Sequence, residues 1–456
     1  MTMIVNIVIG LIGLGIVIMA HEAGHFIAAK RAGIQVDAFS IGWGKPLLRK
    51  KIGETEYRIS MIPMGGYCKM KGENALKVAW EEKMDTLPKE KGDFFAASPL
   101  KRIFVALSGP LANLLFAVIV LSILWGVGFT YQTYENRVVN VSDYQLPGTK
   151  AAYPADKAGI QTGDRIISIE GKEVNHYRDI QEAVAPAGGK TLEFVLKREN
   201  QKIQTTITPL LDKQSGVGKI GVYAWIDPII GEVKENSPAA RAGLQKGDRV
   251  LRVEGEKVSH SIDFSEVLAG DPEKIDIRFL RSGTEQSTTL VPHYTEEGTV
   301  ELGFSFENIT VNTPDYNIFQ ALGQGVRETV NTLGLTLRGI GLLFSGINVT
   351  EAVSGPIKIS YYMGEITTAG FKVGVGTGIT SLLQFLSFIS VAVFIMNLLP
   401  IPLLDGGLVL LYAVEGIIQK PLKPVVIYRY QTIGMMLVFG IIVFALFNDV
   451  LFLFNQ

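Results

Sequence analysis

The chain has 456 residues, 47% of them hydrophobic, a mean hydropathy of +0.27 and a formal net charge of -1. That is too long for one typical domain and too apolar for a purely soluble protein, so a membrane protein with substantial extramembrane parts is expected. The near-neutral charge argues against a general nucleic-acid role, and a lone cysteine, Cys68, excludes an intramolecular disulfide.

The first element is an apolar helix from about residue 4. Residues 4–20 carry no charge, and the apolar character continues through His21-Glu22-Ala23-Gly24-His25 until Lys30 and Arg31 end it. The stretch is long enough to span a bilayer, and without a basic leader region or a small-residue cleavage site it reads as a retained span. Two histidines four residues apart on a helix share a face, so both can reach one zinc ion while Glu22 serves as general base. At 1.5 Å per residue the pair lies roughly 8 to 15 Å inside the helix end. Ionisable groups there are costly and normally functional, and a hydrolytic site in lipid implies a substrate that is itself in the membrane.

The following loop is rich in lysine and arginine, from Lys30 to Lys71 and again at Lys101 and Arg102. The positive-inside rule makes it cytoplasmic. Within it, residues 59–70 are glycine-rich and β-prone; around Gly65, Gly66 and Tyr67 they offer a strand edge to an extended peptide or form a plain structural hairpin. Further spans are expected at 103–129, about 379–399 and about 430–447, which gives roughly four in all. Residues 131–374 and both termini then lie on the outer side, with the histidine pair near the cytoplasmic face.

The outer region contains an internal repeat. The run from Pro154 to Val174 recurs without gaps from Pro238 to Val258. Each copy reads as a short helix ending at glycine, a Gly-Asp turn and an alternating strand, and the pair resembles two PDZ domains in tandem, at 131–213 and 220–308. Residues 316–345 have helical periodicity with scattered polar positions and read as an amphipathic helix lying along the membrane face.

A catalytic zinc needs a third protein ligand. Ala28 and Arg31 stand where a metzincin would have glycine and histidine, and the next acids, Asp37 and Glu54, lie in a loop. The best remaining candidate is Asp405, in Asn397-Leu-Leu-Pro-Ile-Pro-Leu-Leu-Asp-Gly-Gly407 between apolar stretches. Asp405 also reads as a helix N-cap after two prolines, a role compatible with ligation.

The HEAGH motif, the N-x-x-P-x-P-x-L-D-G-G motif, Gly109-Pro110-x-x-Asn113 on the second span and the tandem repeat together resemble the site-2 protease family, over essentially the whole chain. Residues 53–70 are similar to that family's membrane-associated β-hairpin region. Ala23, where relatives often carry an aromatic residue, is a small departure. The resemblance implies an α-helical membrane protein of about four transmembrane helices with that hairpin and two α+β PDZ-like domains. Its parts are 1–130 with the HExxH helix, the two PDZ-like domains, the surface helix, and 376–456 with the third ligand. It further implies one Zn2+ held by His21, His25 and Asp405, with Glu22 as base and Asn397 contacting the substrate backbone or oxyanion, or else bonding between helices. The implied setting is a bacterial inner membrane, multi-pass, with the PDZ-like domains periplasmic. The implied substrates are transmembrane proteins: an anti-sigma factor already cut outside, in an envelope stress response, and signal-peptide remnants. A membrane scaffold with a merely structural metal is the rival reading; a metal transporter is disfavoured, because one metal site among four spans makes no pathway.

Overall fold

The computed structural model describes residues 2–87, 90–144, 152–212, 216–268, 270–295, 300–342 and 354–454. They form two compact units, one made of Met1–Phe129 with Thr313–Gln456 and the other of Thr130–Asn312.

The first unit is built on helices: α1 (Thr2–Ala32), α2 (Glu73–Glu81), α3 (Pro99–Val127), α4 (Ile318–Leu342), α5 (Pro356–Val373), α6 (Val375–Leu398), α7 (Asp405–Ile418) and α8 (Pro424–Phe454). Four of them, α1, α3, α6 and α8, are long and apolar enough to cross a membrane. Their many β-branched residues are poor helix formers in water, but in lipid a helix satisfies each backbone polar group within its own segment. Small residues let the helices close on one another. A Cβ at Gly10 of α1 would strike the backbone of Ser360 in α5, and one at Gly364 of α5 would strike the backbone of Asn6. The N-terminus of α5 is held from α8, where the fully buried Asp449 accepts the backbone N–H groups of Gly355 (2.9 Å), Ile357 (2.9 Å) and Lys358 (3.3 Å).

The helix expected at 316–345 forms as α4 over Ile318–Leu342, with 343–345 outside the described residues, and it runs lengthwise beside α3. Ala321 meets Gly126, Gly325 is pressed onto Ser122 and Val118, and Leu333 and Ile340 pack against the cluster of Ala117, Val391 and Ile395. Its axis is therefore set by α3.

Between α1 and α2 lies a long hairpin of two bent strands, β1 (Val36–Ile52) and β2 (Thr55–Met70). Each strand folds on itself, so the segments lie side by side in the order 46–52, 55–60, 36–41, 66–70. The segment 66–70 is an edge. The hairpin runs along α1: Val36 and Met70 share a core with Ala28, Ala29 and Ala32, Phe39 and Tyr57 touch the Phe26 ring, Gly66 sits beside Glu22, and Gly65 meets Ile18.

The second unit holds two four-stranded antiparallel sheets with the same strand order. One is Lys172–Glu173, Arg165–Ile169, Leu192–Arg198, Gln201–Ile207; the other is Glu256–Lys257, Arg249–Val253, Ile275–Arg281, Thr284–Leu290. Each closes over its own apolar core. The sequence repeat reappears in the bonding: Arg198 grips the buried Asp164 with two nitrogens at 2.8 Å each and also donates to Gly159 O, and Arg281 does the same with Asp248 (2.7 and 2.6 Å) and Gly243 O.

Candidate metal centre

α1 carries His21 and His25 one turn apart, both buried, and α3 decides which ring nitrogen each leaves free. Nδ1 of His25 lies 2.9 Å from the carbonyl oxygen of Val105, an acceptor only, so this nitrogen carries the proton. Nδ1 of His21 lies 3.2 Å from the side-chain amide of Asn113, whose oxygen is buried with no partner. Exchanging the amide N and O, which have nearly the same shape, gives that oxygen the Nδ1–H of His21. Both imidazoles then present a bare Nε2 to the same point.

Asp405 arrives at that point from α7. The two Nε2 atoms are 3.1 Å apart, His21 Nε2 is 3.1 Å from Asp405 Oδ2, and His25 Nε2 is 3.4 Å from Asp405 Oδ1. One ligand atom from each of the three residues falls within 4.8 Å of the others. Oδ2 is buried without a hydrogen-bond partner, as it must be if the nitrogen facing it has no proton. Three converging lone pairs with no proton between them repel unless a cation lies among them. Ligands around a tetrahedral ion with bonds of roughly 2.0–2.1 Å stand roughly 3.3–3.4 Å apart, so the donor set and its spacing fit zinc.

Local sequence explains how the groups reach this point. A Cβ on Gly109 would collide with both imidazoles, so glycine lets the α3 backbone pass against them. Asp405 is the first residue of α7 and follows Leu403, whose φ of 84° is in the left-handed region and costs a non-glycine residue about 1–3 kcal/mol. Gly406 and Gly407 follow, where a Cβ would strike the carbonyls of Leu398 and Ile401. The carboxylate of Asp405 thus faces the histidines rather than serving as the cap, a position held by Leu404. Further along α7, Glu415 takes two hydrogen bonds from Arg102 of α3, at 3.2 and 2.5 Å, both residues being buried. The Arg102 guanidinium also lies 4.6 Å from the centre of the Tyr412 ring.

Glu22, His21, His25, Asp405 and Asn397 line one cavity of about 450 Å³, which Cys68, Met70 and Glu73 close from the hairpin side. Glu22 accepts a hydrogen bond from the backbone N–H of Cys68 on the edge segment, and Glu73 accepts one from Met70 at 3.3 Å. Of the glycine-rich residues singled out in the sequence, Gly66 stands beside Glu22, where its Cβ would be 3.8 Å from Glu22 Cγ. Gly65 lies one step further along the hairpin, against Trp43 and Ile18. The Tyr67 hydroxyl accepts from Arg58 at 2.9 Å and its ring lies against Trp43, so only its backbone faces the edge. Sequence reading missed Cys68, Glu73 and the Arg102–Glu415 pair. The first acts through its backbone, and the pair joins residues 313 apart, so neither leaves a local pattern.

The chain is similar to known proteins over nearly its whole length. The model of peptidase family M50 matches residues 9–441. A candidate zinc metalloprotease of Treponema pallidum (strain Nichols) is 39% identical over 452 residues, covering 99% of this chain and 100% of its own length. The regulator of sigma E protease of Haemophilus influenzae (strain ATCC 51907 / DSM 11121 / KW20 / Rd) is 31% identical, with 97% of each chain covered. The regulator of sigma-E protease RseP of Escherichia coli (strain K12) is 30% identical, covering 96% of this chain and 97% of its own. With a family model spanning nearly its whole length and relatives of this identity, the chain belongs to peptidase family M50, the site-2 type zinc metalloproteases.

Proposed function

We propose that the chain hydrolyses peptide bonds within transmembrane segments of single-span proteins, with His21, His25 and Asp405 holding the zinc ion and Glu22 acting as the base. The observation that carries the reading is the convergence of His21 and His25 of α1 with Asp405 of α7, in one cavity with Glu22, on an α1 that is long and apolar enough to cross a bilayer. Bound there, zinc activates a water for attack and polarises the scissile carbonyl. Glu22 takes the proton from the attacking water and hands it to the leaving amine. Asn397 sits in the same cavity and is assigned to the substrate backbone or the developing oxyanion.

A helix shields its own peptide bonds, so the substrate must be extended before attack. The edge segment 66–70 suits this, because it faces the cavity and an added strand would pair along it. On this reading the hairpin is membrane-associated, the lysine- and arginine-rich loop is cytoplasmic, and the repeat unit is a tandem pair of PDZ domains on the periplasmic side of an inner membrane. Those domains exclude substrates with bulky outer parts or hold a freshly cut C-terminus. By analogy with the sigma-E regulators, the substrate is an anti-sigma factor after a first periplasmic cut, with signal-peptide remnants as a second class.

The test is cleavage of a single-span substrate by the purified chain in bilayers, with Glu22→Gln as the comparison. The variant is expected to keep one zinc per chain and to lose at least about 10²-fold in rate. Unchanged cleavage by the variant would sink the mechanism.

A further inference from the structure

The outer part of the hairpin has two chemically distinct faces. In register, Leu48 lies opposite Ile59 and Lys50 opposite Tyr57, while Phe39 and Ile41 flank Tyr57 and Ile59. Alternation puts these six side chains on one face. Arg58 and Glu56 fall on the other, where Arg58 donates to Glu56 at 3.1 Å and to the Tyr67 hydroxyl at 2.9 Å. Along the first face runs an apolar groove of about 430 Å³; Arg49, opposite Arg58 in register, belongs to the other face. The groove's aliphatic wall is open: Leu48 is 66%, Ile59 46% and Ile41 39% exposed.

The contacts with α1 order this groove along the helix axis. At one end the Phe39 and Tyr57 rings stand 5.1 and 5.9 Å from the ring of Phe26, and Lys30 lies 4.9 Å over that same ring. Lys30 and Lys50 therefore flank the same end, at the level of the last turn of α1. Toward the other end lie Ile41, Leu48 and Ile59, and beyond them Trp43 approaches Gly65 at the level of Ile18, inside the uncharged stretch. Neither lysine makes a salt bridge among the described residues.

We infer that this groove binds an anionic phospholipid, its phosphate between Lys30 and Lys50 and an acyl chain along Ile41, Leu48 and Ile59. Charge separates this ligand from a zwitterionic one: two ammonium groups meet a headgroup that brings no cation of its own. The lipid would then hold the hairpin, and with it the edge segment, at a fixed depth beside α1. The inference rests on α1 crossing the bilayer and is independent of the catalytic reading.

The test uses the full chain in phosphatidylcholine nanodiscs containing either a phosphatidylglycerol or a phosphatidylcholine with a photoreactive acyl chain, followed by peptide mapping. Phosphatidylglycerol is expected to label 39–59 preferentially. Lys30→Gln/Lys50→Gln is expected to lower that labelling roughly thirtyfold, and Lys30→Arg/Lys50→Arg to retain it. Zinc content, unchanged in both variants, checks that the fold survives. Equal labelling by the two lipids, labelling confined to other segments, or labelling indifferent to the glutamine pair would each overturn the site.

Discussion

Each imidazole of the centre has one nitrogen engaged by α3, and that engagement fixes the other for the metal. The contact to Val105 is made by a backbone carbonyl and survives most substitutions, whereas the one to Asn113 depends on the side chain. Asn113→Leu removes the acceptor that holds the proton on Nδ1 of His21, and zinc affinity is expected to fall about 10- to 100-fold, read by competition with a chromogenic chelator. Gly109→Ala places a methyl group against both rings. The purified variant is expected to carry little zinc by elemental analysis, and a full complement would show that α3 can move aside. At this scale the sequence was legible where chemistry repeats on a helix: the spacing of His21 and His25 announced a shared ligand face. It was silent about tautomers, because the partner of His25 is a carbonyl that every residue type carries.

The elements that bear the ligands are locked by charge. Arg102 of α3 and Glu415 of α7 are both buried and joined by two hydrogen bonds, so removing either leaves a lone charge among apolar groups. Arg102→Met alone is expected to destabilise the protein by about 3–5 kcal/mol, and Arg102→Met/Glu415→Leu to recover most of it, read by thermal unfolding in detergent. Asp449 makes a comparable joint between α8 and the start of α5. Asp449→Ala strands those buried N–H groups and is expected to cost about 1–3 kcal/mol, with local exchange of the Gly355 and Ile357 amides as the readout. The four long apolar helices were legible from patterning, with ends up to seven residues off in the last of them, because hydropathy is a property of each segment alone. The course of α4 along α3 was not legible, since it follows from Gly126 and Gly325 admitting particular neighbours rather than from periodicity. The positive φ of Leu403 was hidden as well, because leucine is a residue no turn rule selects for that conformation.

On the scale of the whole molecule, the repeat was legible because duplicated sequence keeps duplicated contacts, down to Asp164–Arg198 and Asp248–Arg281. What joins the two copies is not repeated. Tyr144 from the first half donates to Asp263 at 2.6 Å and meets His260 at 3.0 Å, and His260 is wedged against Trp225, over which Arg137 lies. Burial holds His260 below its ordinary pKa, against the opposing pull of Asp263. A histidine kept neutral in the fold stabilises it above the pKa of the unfolded chain and withdraws that support as pH falls. Protection factors in 260–268, which are corrected for the slower intrinsic exchange at low pH, are therefore expected to fall on going from pH 7 to pH 5, and His260→Gln to flatten the trend. The centre itself is divided between α1 and α7, which gives the enzyme an order of birth. A ribosome adding 5–20 residues per second separates His21 from Asp405 by roughly 20 to 80 s. With the ligands proposed above, the growing chain holds two of the three throughout that interval, so a nascent molecule would stay inactive until α7 is made.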